Sequence, residues 1–468
     1  MGAQDTEFAA ALQAHCEAVL GNAHAITNLR HLTGGASMET WSFDYGDQPL
    51  ILRRRAAKGS FDERQPLPLA KEAAFIQAAG TVGVTVPRIF ATTDETHSLS
   101  ETVMMERLTG EALPQKLFRD PAYAGGLSNF TRDCAINLAR IHAAPTSDLF
   151  APEDTKRPAD MVADRIALYE QYGGDSPIQC LAFRWLQDNL PAPAEDTLCH
   201  GDFRMGNLLV GRDGISGVLD WELAFHGDPI SDLGYLCAPC WRFGVYDRPV
   251  GGVGQIEELI TQYEVASGRT VEPDRFRFWM IYASLNWSVM CMTMIDLWRQ
   301  GLARELERPV IGTRVSESEI DLILMLEDAI ANAPSDRLTP FDLPDDGAPS
   351  GDTKSRELAK ALGEWLTEDV IKAMEGREQF KARIARNAAG ILERSAALDG
   401  RFEARQAERL EALGYDNGGL CQAILKGDVT LATPGLLDHL RLLAAERCYV
   451  QQPKYAGLKT ALKKWSPE

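Results

Sequence analysis

The stretch from residue 198 to residue 222 constrains the fold more than any other part of the chain; it reads L-C-H-G-D-F-R-M-G-N-L-L-V-G-R-D-G-I-S-G-V-L-D-W-E. Two apolar runs, L-L-V and I-S-G-V-L, flank the turn-forming sequence G-R-D-G, and this pattern predicts a β-hairpin. The hairpin returns Asn207 and Asp220 to one end, close to Asp202 in the preceding loop. We therefore expect three oxygen-bearing side chains to meet there.

An amide and a carboxylate placed together suit a hard cation such as Mg²⁺, which takes oxygen ligands and keeps water and phosphate in its shell. Asn207 and Asp220 are thus candidate metal ligands. The remaining carboxylate, Asp202, would orient a substrate hydroxyl and accept its proton. Phosphoryl transfer from ATP requires this layout, because the protein mainly positions groups and neutralises charge.

The pattern H-G-D-x-x-x-x-N, followed by a strand that ends in L-D-W-E, resembles the catalytic core of the aminoglycoside phosphotransferase family. These enzymes are small-molecule counterparts of protein kinases, which carry H-R-D-x-x-x-x-N and D-F-G. The sequence G-D-P-I-S-D-L at 227–233 also fits. Within the family, the chain is most similar to phosphotransferase domains linked to acyl-CoA dehydrogenases. The resemblance covers about residues 26–333 and implies that Asp202 is catalytic and that Asn207 and Asp220 bind the metal.

The same resemblance implies an α+β, two-lobed fold like that of protein kinases. We predict an N-terminal helix over 1–25, an N-lobe with a small mixed sheet over 26–108 and a mainly helical C-lobe over 109–333. The expected N-lobe strands lie at 29–33, 40–45, 50–53, 84–90 and 101–106, with one helix at 66–79.

A segment rich in proline and acidic residues, 334–352, predicts a linker. An all-α C-terminal domain is expected over 353–468. Its predicted helices lie at 357–374, 378–398, 402–413 and 436–450, with Gly376, Gly400 and Gly414 at helix ends. This domain could dock on the kinase-like part, mediate homodimerisation, shape the substrate site or serve only as a structural appendage. The sequence leaves these alternatives open.

Small residues between the first two predicted strands are candidates for a nucleotide lid. They are Gly34, Gly35, Ala36 and Ser37, whose backbone N–H groups could approach phosphates closely. The sequence contains no G-x-x-x-x-G-K-[ST], which excludes a Walker-type nucleotide site as the main interpretation.

Arg53 ends the third predicted strand, where kinases usually have lysine, and Glu72 lies on the following predicted helix. The resemblance implies that this cation bridges the α- and β-phosphates while Glu72 fixes its direction. Arginine is planar and always charged, so it is not a neutral replacement for lysine. The adjacent Arg54 and Arg55 are expected to be solvated, with contact to an anionic substrate as the alternative.

The segment M-M-E-R-L at 104–108 resembles the connector between the two lobes. The backbone at Glu106 and Leu108 would hydrogen-bond the adenine edge, and Met105 would supply adaptable apolar contact. The same residues could equally form an internal strand.

Three further residues near the motif receive supporting roles. We expect His200 to hold the catalytic loop through backbone hydrogen bonds rather than to act as a base. Asp232 is expected to support that loop from the following helix. Glu222 lies close to the metal ligands, and an indirect, water-mediated role is open to it.

Charge and hydropathy exclude several kinds of partner. The net charge is −19 at pH 7, and the segment from residue 352 onward carries +2, which leaves −21 on the first 351 residues. Nucleic-acid binding is excluded because phosphate backbones demand a basic face. The apolar run at 278–298 is long enough to cross a membrane, but polar residues interrupt it. We therefore expect a buried helix and no membrane contact.

The nine cysteines show no disulfide framework, and residues 1–20 lack the features of a secretory signal, so a cytoplasmic location is expected. The sequence C-A-P-C contains Cys237 and Cys240 but has no second cysteine or histidine pair for zinc. A redox role would need a thioredoxin-like context, which is missing. Buried, unreactive thiols are expected.

These features together predict an ATP- and Mg²⁺-dependent phosphotransferase that acts on a hydroxyl of a small molecule, with GTP as an alternative donor. The resemblance implies a hydroxyacyl-CoA, an amino alcohol, a sugar or an aminoglycoside as the acceptor. A catalytically silent, nucleotide-binding pseudokinase with a helical partner-binding module is the alternative from another class. A protein substrate is disfavoured because no A-P-E element follows the hairpin.

Overall fold

A computed structural model of the protein describes residues 3–21, 23–32, 38–55, 67–151, 154–327 and 352–465. The predicted lid residues Gly34, Gly35, Ala36 and Ser37 lie outside the described residues, as does the predicted linker apart from residue 352. The described chain forms a sheet-rich N-terminal region, a mainly helical middle region and an all-helical C-terminal region, which confirms the predicted α+β class.

The N-terminal region is built from two helices and five strands. Its elements are α1 (Ala3–Leu20), β1 (Ile26–Leu32), β2 (Met38–Tyr45), β3 (Gln48–Arg55), α2 (Leu69–Thr81), β4 (Ile89–Thr93) and β5 (Thr102–Glu106). The strands pair in the order β1-β2-β3-β5-β4, and each of these pairs is antiparallel. Arg53 therefore lies on the central strand, opposite Thr40 on β2 and Val103 on β5.

Helices cover both faces of this sheet. Leu12 of α1 and Met104 of β5 belong to one buried cluster, whereas Leu69 of α2 and Met105 belong to another. Successive side chains of a strand point to opposite faces, so the two neighbouring methionines serve different cores. Met105 is thereby directed away from α1.

The middle region combines helices with short strands. Its elements are α3 (Pro114–Leu117), α4 (Ala124–Ile141), β6 (Thr155–Lys156), α5 (Pro158–Gln171), α6 (Pro177–Asp188), β7 (Thr197–Cys199), β8 (Leu208–Val210), β9 (Ile215–Val218), β10 (Phe225–Gly227), α7 (Ile230–Cys237), α8 (Ile256–Ser267), α9 (Pro273–Arg299), α10 (Glu307–Gly312) and α11 (Val315–Glu327). Strands β8 and β9 pair antiparallel, with Leu208 opposite Val218, and this pairing confirms the predicted hairpin.

The C-terminal region consists of helices. Its elements are α12 (Ser355–Trp365), a π-helical turn (Leu366–Val370), α13 (Ile371–Ala373), α14 (Gly376–Leu413), α15 (Asn417–Lys426), α16 (Leu436–Gln451) and α17 (Ala456–Trp465). Gly414 caps α14 with φ +79°, a conformation that glycine adopts readily, so a helix ends here as the sequence predicted.

Two sequence-based assignments are wrong. The strand expected over 84–90 begins at Ile89 instead, because Pro87 has no N–H for a ladder, and the Thr85 carbonyl accepts the Val218 N–H (2.8 Å). Gly400 does not end a helix, since α14 continues through it to Leu413. A single glycine costs a helix only about 1 kcal/mol relative to alanine, and burial of neighbouring side chains offsets that cost.

By their contacts, the residues group into two compact units. One comprises Met1–Arg157, Ala192–Cys237 and Arg248–Phe276, and the other comprises Pro158–Pro191, Ala238–Asp247 and Arg277–Glu468. The candidate site residues all belong to the first unit. The domain limits drawn from the sequence stay a prediction.

Helix α9 has the length and composition of a membrane-spanning helix, with a mean hydropathy of 1.3 over an 18-residue window. However, 61% of that window is buried inside the protein, as in the core helix of a globular protein. All nine cysteines are free and buried, as expected, and burial raises the pKa of Cys240 well above its usual value.

The second unit contains a buried carboxyl group, Asp321, whose contribution to stability we expect to depend on pH. Asp321 on α11 accepts hydrogen bonds from the hydroxyls of Tyr246 (3.0 Å) and Tyr455 (2.7 Å), yet burial raises its pKa to about 7. The folded protein therefore retains a proton that the unfolded chain releases near pH 3.8. Because the folded state binds this proton more tightly, the contribution of Asp321 to stability falls as pH rises from about 4 to about 7 and changes no further above that range.

We expect Asp321→Asn to gain stability relative to the unmodified protein as pH rises from 5 to 8. The gain is about 2–3 kcal/mol, because each unit of pKa shift corresponds to about 1.4 kcal/mol. Thermal melting of both proteins at several pH values measures the difference. Asp213→Asn, a substitution at an exposed turn residue, serves as the control. A stability difference that stays constant with pH would contradict the expectation.

Candidate active site

The loop between β7 and β8 fixes the carboxylate of Asp202 in one orientation. Asp202 Oδ1 accepts hydrogen bonds from the Tyr235 hydroxyl (2.7 Å) and from Nε of Arg204 (3.0 Å). Its Oδ2 accepts from the amide nitrogen of Asn207 (2.5 Å). Three donors thus hold both oxygens of a buried carboxylate. A side chain held this firmly is suited to orient a reacting group.

Asn207 ends a 3₁₀ turn, Met205–Asn207, and its amide nitrogen also donates to the Asp202 carbonyl (2.9 Å). Because the nitrogen is used in this way, the amide oxygen is the atom that remains for a ligand. The Leu219 N–H donates to the Asn207 carbonyl (2.9 Å) at the end of the hairpin. Asp220 follows directly, so the hairpin brings Asn207 and Asp220 to one end, as the sequence predicted.

Two residues of the site have positive φ angles. Asp220 has φ +65°, in the left-handed region that residues other than glycine rarely adopt. Gly201 has φ +79°, and a Cβ atom there would lie 2.2 Å from the Leu223 carbonyl oxygen, so only glycine fits. Strained backbone of this kind clusters at functional sites.

The ring of His200 connects the loop that carries Asp202 with the end of strand β9, next to Asp220. Nδ1 accepts from the Asp202 N–H (3.2 Å), and Nε2 donates to the Leu219 carbonyl (3.0 Å); this tautomer follows from the hydrogen-bond network. Burial lowers the pKa of His200, which favours the neutral ring. Both ring nitrogens are engaged with backbone, in agreement with a holding role and not with that of a base.

Asp232 on α7 supports the same loop. Its carboxylate accepts the backbone N–H groups of His200 (2.7 Å) and Gly201 (2.8 Å) and lies 3.2 Å from Nε2 of His142. Nδ1, the other ring nitrogen of His142, forms a hydrogen bond with the Tyr263 hydroxyl (2.8 Å). Burial opposes ionisation of Asp232, but the hydrogen bonds from His142 and the backbone outweigh it and lower its pKa. A buried anion therefore anchors the loop that carries Asp202.

Arg53 is the centre of an ion-pair cluster. It is hydrogen-bonded to Glu72, and its second nitrogen lies 3.5 Å from Asp220 and 3.9 Å from Glu222. Burial alone would lower the pKa of Arg53, but the three carboxylates outweigh burial and raise it. The predicted pairing of Arg53 with Glu72 is thus present, although β3 continues to Arg55 instead of ending at Arg53.

Among the residues that the structure describes, carboxylates outnumber cations in this part of the site. The acids are Glu72, Asp202, Asp220 and Glu222, and the described cations that contact them are Arg53 and Arg204. Burial raises the pKa of Glu222 to about 7, and the nearby charge of Asp220 adds to the effect. Burial also raises the pKa of Glu72. A divalent cation would relieve this excess, and an amide oxygen with a carboxylate is the donor set that Mg²⁺ prefers. The residues present therefore fit Mg²⁺.

A cavity of about 660 Å³ lies beside this cluster. Its apolar lining includes Ile51, Met105, Leu108, Leu209 and Leu219, and Arg53, Asp220 and Glu222 line its polar part. A cavity of this size with an apolar wall and few polar groups suits a flat heterocycle that carries a charged group.

Of the predicted connector residues Met105, Glu106 and Leu108, some are placed to bind adenine and others are not. Met105 lines the cavity, as predicted. The Glu106 N–H is already used, because it donates to the Arg88 carbonyl (2.9 Å), so it is not free to bind adenine. Leu108 follows β5 and lines the cavity, and its N–H has no hydrogen-bond partner within the described part of the chain.

The expectation that Arg54 and Arg55 are solvated is wrong. Arg54 pairs with Glu39 (2.5 Å), and Arg55 pairs with Glu101 (2.5 Å). All four side chains are at least partly buried. These two cations are neutralised within the protein, so they give no reason to expect an anionic substrate.

Two residues that contact the carboxylate of Asp202, Arg204 and Tyr235, were not predicted from the sequence. Arg204 lies only two residues after Asp202, within the motif itself. Tyr235 lies three residues after Asp232 on α7, so helical spacing could have placed both on one side of that helix. His142 had no such signal, because it is 90 residues from Asp232 in the chain.

Comparison with known proteins assigns most of the chain. Residues 28–278 match the phosphotransferase enzyme family APH, and residues 372–455 match a domain of unknown function, DUF6285. Acyl-CoA dehydrogenase family member 10 from Mus musculus is 25% identical over 296 residues, which cover 58% of this chain and 27% of that protein. Acyl-CoA dehydrogenase family member 11 from Homo sapiens is 26% identical over 274 residues, which cover 54% of this chain and 34% of that protein. The chain therefore spans about a quarter to a third of the length of these relatives.

A solved structure assigned as an aminoglycoside phosphotransferase, from Ralstonia eutropha JMP134, superposes with a TM-score of 0.52 and 19% identity. The match covers 66% of this chain and 95% of that one, and it confirms the predicted kinase-like fold. Because the family match extends over more than half of the sequence, the chain belongs to the APH phosphotransferase enzyme family.

Proposed function

We propose that the protein transfers the γ-phosphoryl group of ATP to a hydroxyl group of a small molecule, with Mg²⁺ as cofactor and GTP as an alternative donor. The observation that carries this proposal is the arrangement of Asp202, Asn207 and Asp220 at one end of the hairpin. The neighbouring cavity and membership of a phosphotransferase family support it.

In this proposal each part of the site has a separate role in binding or transfer. Asp202, oriented by Tyr235 and Arg204, would receive the acceptor hydroxyl and take its proton as the bond to phosphorus forms. Arg53, directed by Glu72, would bind phosphate oxygens of the nucleotide. The apolar wall of the cavity would hold the base and exclude water from it.

Asn207 and Asp220 would hold the metal ion, which neutralises phosphate charge during transfer. The excess of carboxylates over guanidinium groups supports this assignment. Arg53 lies between Glu72 and Asp220, so it would connect the nucleotide phosphates with the metal-binding carboxylate.

The acceptor is proposed to be a hydroxyacyl-CoA, with amino alcohols, sugars and aminoglycosides as the other candidates. The similarity to two acyl-CoA dehydrogenase family members supports placing the acyl-CoA class first. Because Arg54 and Arg55 are paired with glutamates, the choice does not depend on them.

A screen of acceptors tests the proposal. The protein is incubated with Mg²⁺ and ATP or GTP beside hydroxyacyl-CoAs, amino alcohols, sugars and aminoglycosides, and both nucleotide diphosphate and phosphorylated product are measured. We expect one acceptor class to yield both products and a chelator to abolish them. Nucleotide binding without turnover on the whole panel would instead favour a catalytically silent protein with a helical partner-binding module.

We expect Tyr235→Phe to lower kcat by about 5- to 10-fold, because one of the three hydrogen bonds to Asp202 is lost, at a cost of about 1 kcal/mol. The KM for the nucleotide should change less than twofold, since Tyr235 contacts the catalytic carboxylate and does not line the cavity. Steady-state kinetics measure both constants. Tyr172→Phe, outside the site, is the matched control, and equal kcat values for the two variants would refute the positioning role.

A further inference from the structure

Helices α6 and α15 pack side by side and run in the same direction. Near the start of this pair, Nδ2 of Asn417 donates to the Asp175 carbonyl (2.7 Å), and these residues are 242 apart in the chain. Near its end, Nη1 of Arg184 donates to the Leu425 carbonyl (3.4 Å) across a separation of 241 residues. Because both helices rise by the same amount per residue, this nearly constant separation places residues about 241 apart opposite each other.

Two cysteines occupy such opposite positions. Cys180 lies on α6 and Cys421 on α15, and they too are 241 residues apart. Their thiol groups are hydrogen-bonded to each other. Cys180 Sγ lies 3.6 Å from the Tyr169 hydroxyl, and Cys421 Sγ lies 3.4 Å from the Asp175 carbonyl oxygen. Two free thiols are therefore in contact across a helix–helix interface.

The surroundings of the two sulfur atoms give them different reactivity. The hydrogen bond from the Cys421 thiol lowers the pKa of Cys180, and the Tyr169 hydroxyl adds to this effect, whereas burial opposes it. The same hydrogen bond between the thiols, together with burial, raises the pKa of Cys421. Burial also raises the pKa of the Cys448 thiol on α16. Since the thiolate is the nucleophile in thiol chemistry, Cys180 is the sulfur suited to attack an oxidant.

We propose that Cys180 and Cys421 form a peroxide-sensitive dithiol site whose disulfide ties α15 to α6. This inference is independent of the proposed catalytic function. The Cys180 thiolate attacks one oxygen of hydrogen peroxide, the O–O bond breaks, and the hydroxide that leaves takes up a proton to become water. The sulfenic acid formed on Cys180 is then attacked by the Cys421 sulfur, and a second water leaves as the S–S bond forms. In total the two thiols lose two electrons and two protons, and peroxide is reduced to two waters.

The site joins two segments of the chain that match different families. Cys180 lies within the phosphotransferase match, residues 28–278, and Cys421 lies within the match to DUF6285, residues 372–455. A disulfide between them closes a long loop, and closing a long loop restricts the unfolded chain most. Oxidation should therefore stabilise the folded protein and fix α15 on α6.

A cavity of about 330 Å³ gives a small oxidant access to the pair. Asp175, Pro177 and Asn417 are among the residues that line it. The Asp175 carbonyl contacts the Cys421 sulfur, and Asn417 lies one turn before Cys421 on the same side of α15. The cavity is much larger than the roughly 30 Å³ that a water molecule occupies. Hydrogen peroxide, which is similar in size to water, can therefore approach although Cys180 and Cys421 are only 1% and 6% exposed.

Peroxide treatment of the full reduced chain tests the proposal. We expect the number of free thiols, counted after unfolding in denaturant, to fall from nine to seven. Peptide mapping without reductant should identify one disulfide, between Cys180 and Cys421, and the melting temperature should rise by about 5 °C and return on reduction. Retention of all nine thiols, a disulfide between other cysteines, or equal melting temperatures before and after oxidation would overturn the proposal.

Serine variants separate the roles of the two sulfur atoms. In Cys421→Ser, peroxide should leave Cys180 as a sulfenic acid that dimedone traps, because the second thiol is missing. Cys180→Ser should give no trapped product at Cys421. Cys448→Ser, at a buried cysteine on α16, is the matched control and should still form the disulfide. Trapping at Cys421 in place of Cys180, or loss of the disulfide in the control, would contradict the assignment.

Discussion

Replacing Asp202 by asparagine should lower turnover by roughly three orders of magnitude while the affinity for the nucleotide changes less than threefold. In the proposed mechanism this carboxylate orients the acceptor hydroxyl and accepts its proton, and asparagine cannot accept that proton. Tyr235 and Arg204 can still donate to the remaining carbonyl oxygen, so the loop should keep its position. Steady-state kinetics with the acceptor found by the screen, and calorimetric titration with ATP and Mg²⁺, measure the two quantities.

The matched control is Asp213→Asn, which makes the same chemical change at an exposed residue of the hairpin turn. It should leave both turnover and nucleotide affinity unchanged. If Asp202→Asn retained more than a tenth of the original turnover, Asp202 would not be the catalytic residue. Loss of nucleotide binding in that variant would show that Asp202 holds the nucleotide instead.

Asp232→Ala is expected to destabilise the protein by about 3–5 kcal/mol and to inactivate the site at the same time. The side chain is almost completely buried, and its removal leaves the N–H groups of His200 and Gly201 and the ring of His142 without their acceptor. Leaving such groups unpaired in a protein interior costs this much. The melting temperature should fall by roughly 10 °C.

Asp232→Asn separates the loss of charge from the loss of the acceptor. Its amide oxygen can still accept one backbone N–H, so the destabilisation should be about half of that for alanine. Asp213→Ala again serves as the exposed control. Equal melting temperatures for Asp232→Ala and Asp213→Ala would show that Asp232 does not anchor the loop.

The sequence was sufficient where the chemistry is local. Asp202, Asn207 and Asp220 lie within nineteen residues. A Gly/Asp turn between two apolar runs strongly favours a β-hairpin. The pairing of Arg53 with Glu72 followed from their places on a strand and the next helix. The lid residues 34–37 lie outside the described residues, so their role stays a prediction.

Predictions from the sequence were wrong where the conformation or environment of a residue depended on contacts with other parts of the chain. Arg54 and Arg55 look like a solvated charge run, but β2 and the loop before β5 supply Glu39 and Glu101 to them. Gly400 looks like a helix end, yet α14 continues because its neighbours are buried. In both cases tertiary contacts outweighed a weak local preference.

The amino-acid sequence by itself determined the family, the β8–β9 hairpin and the polar residues at its end, because these depend on residue types at short, fixed separations. Only the tertiary structure decided that Tyr235 and His142 serve the same loop and that the side of α12 with Ala359 and Gly363 is the one that packs on α14. Periodicity shows that a helix has apolar sides, but which side is buried depends on the elements that pack against it. Contacts between residues far apart in the chain, such as His142 with Asp232, exist only once those elements have come together.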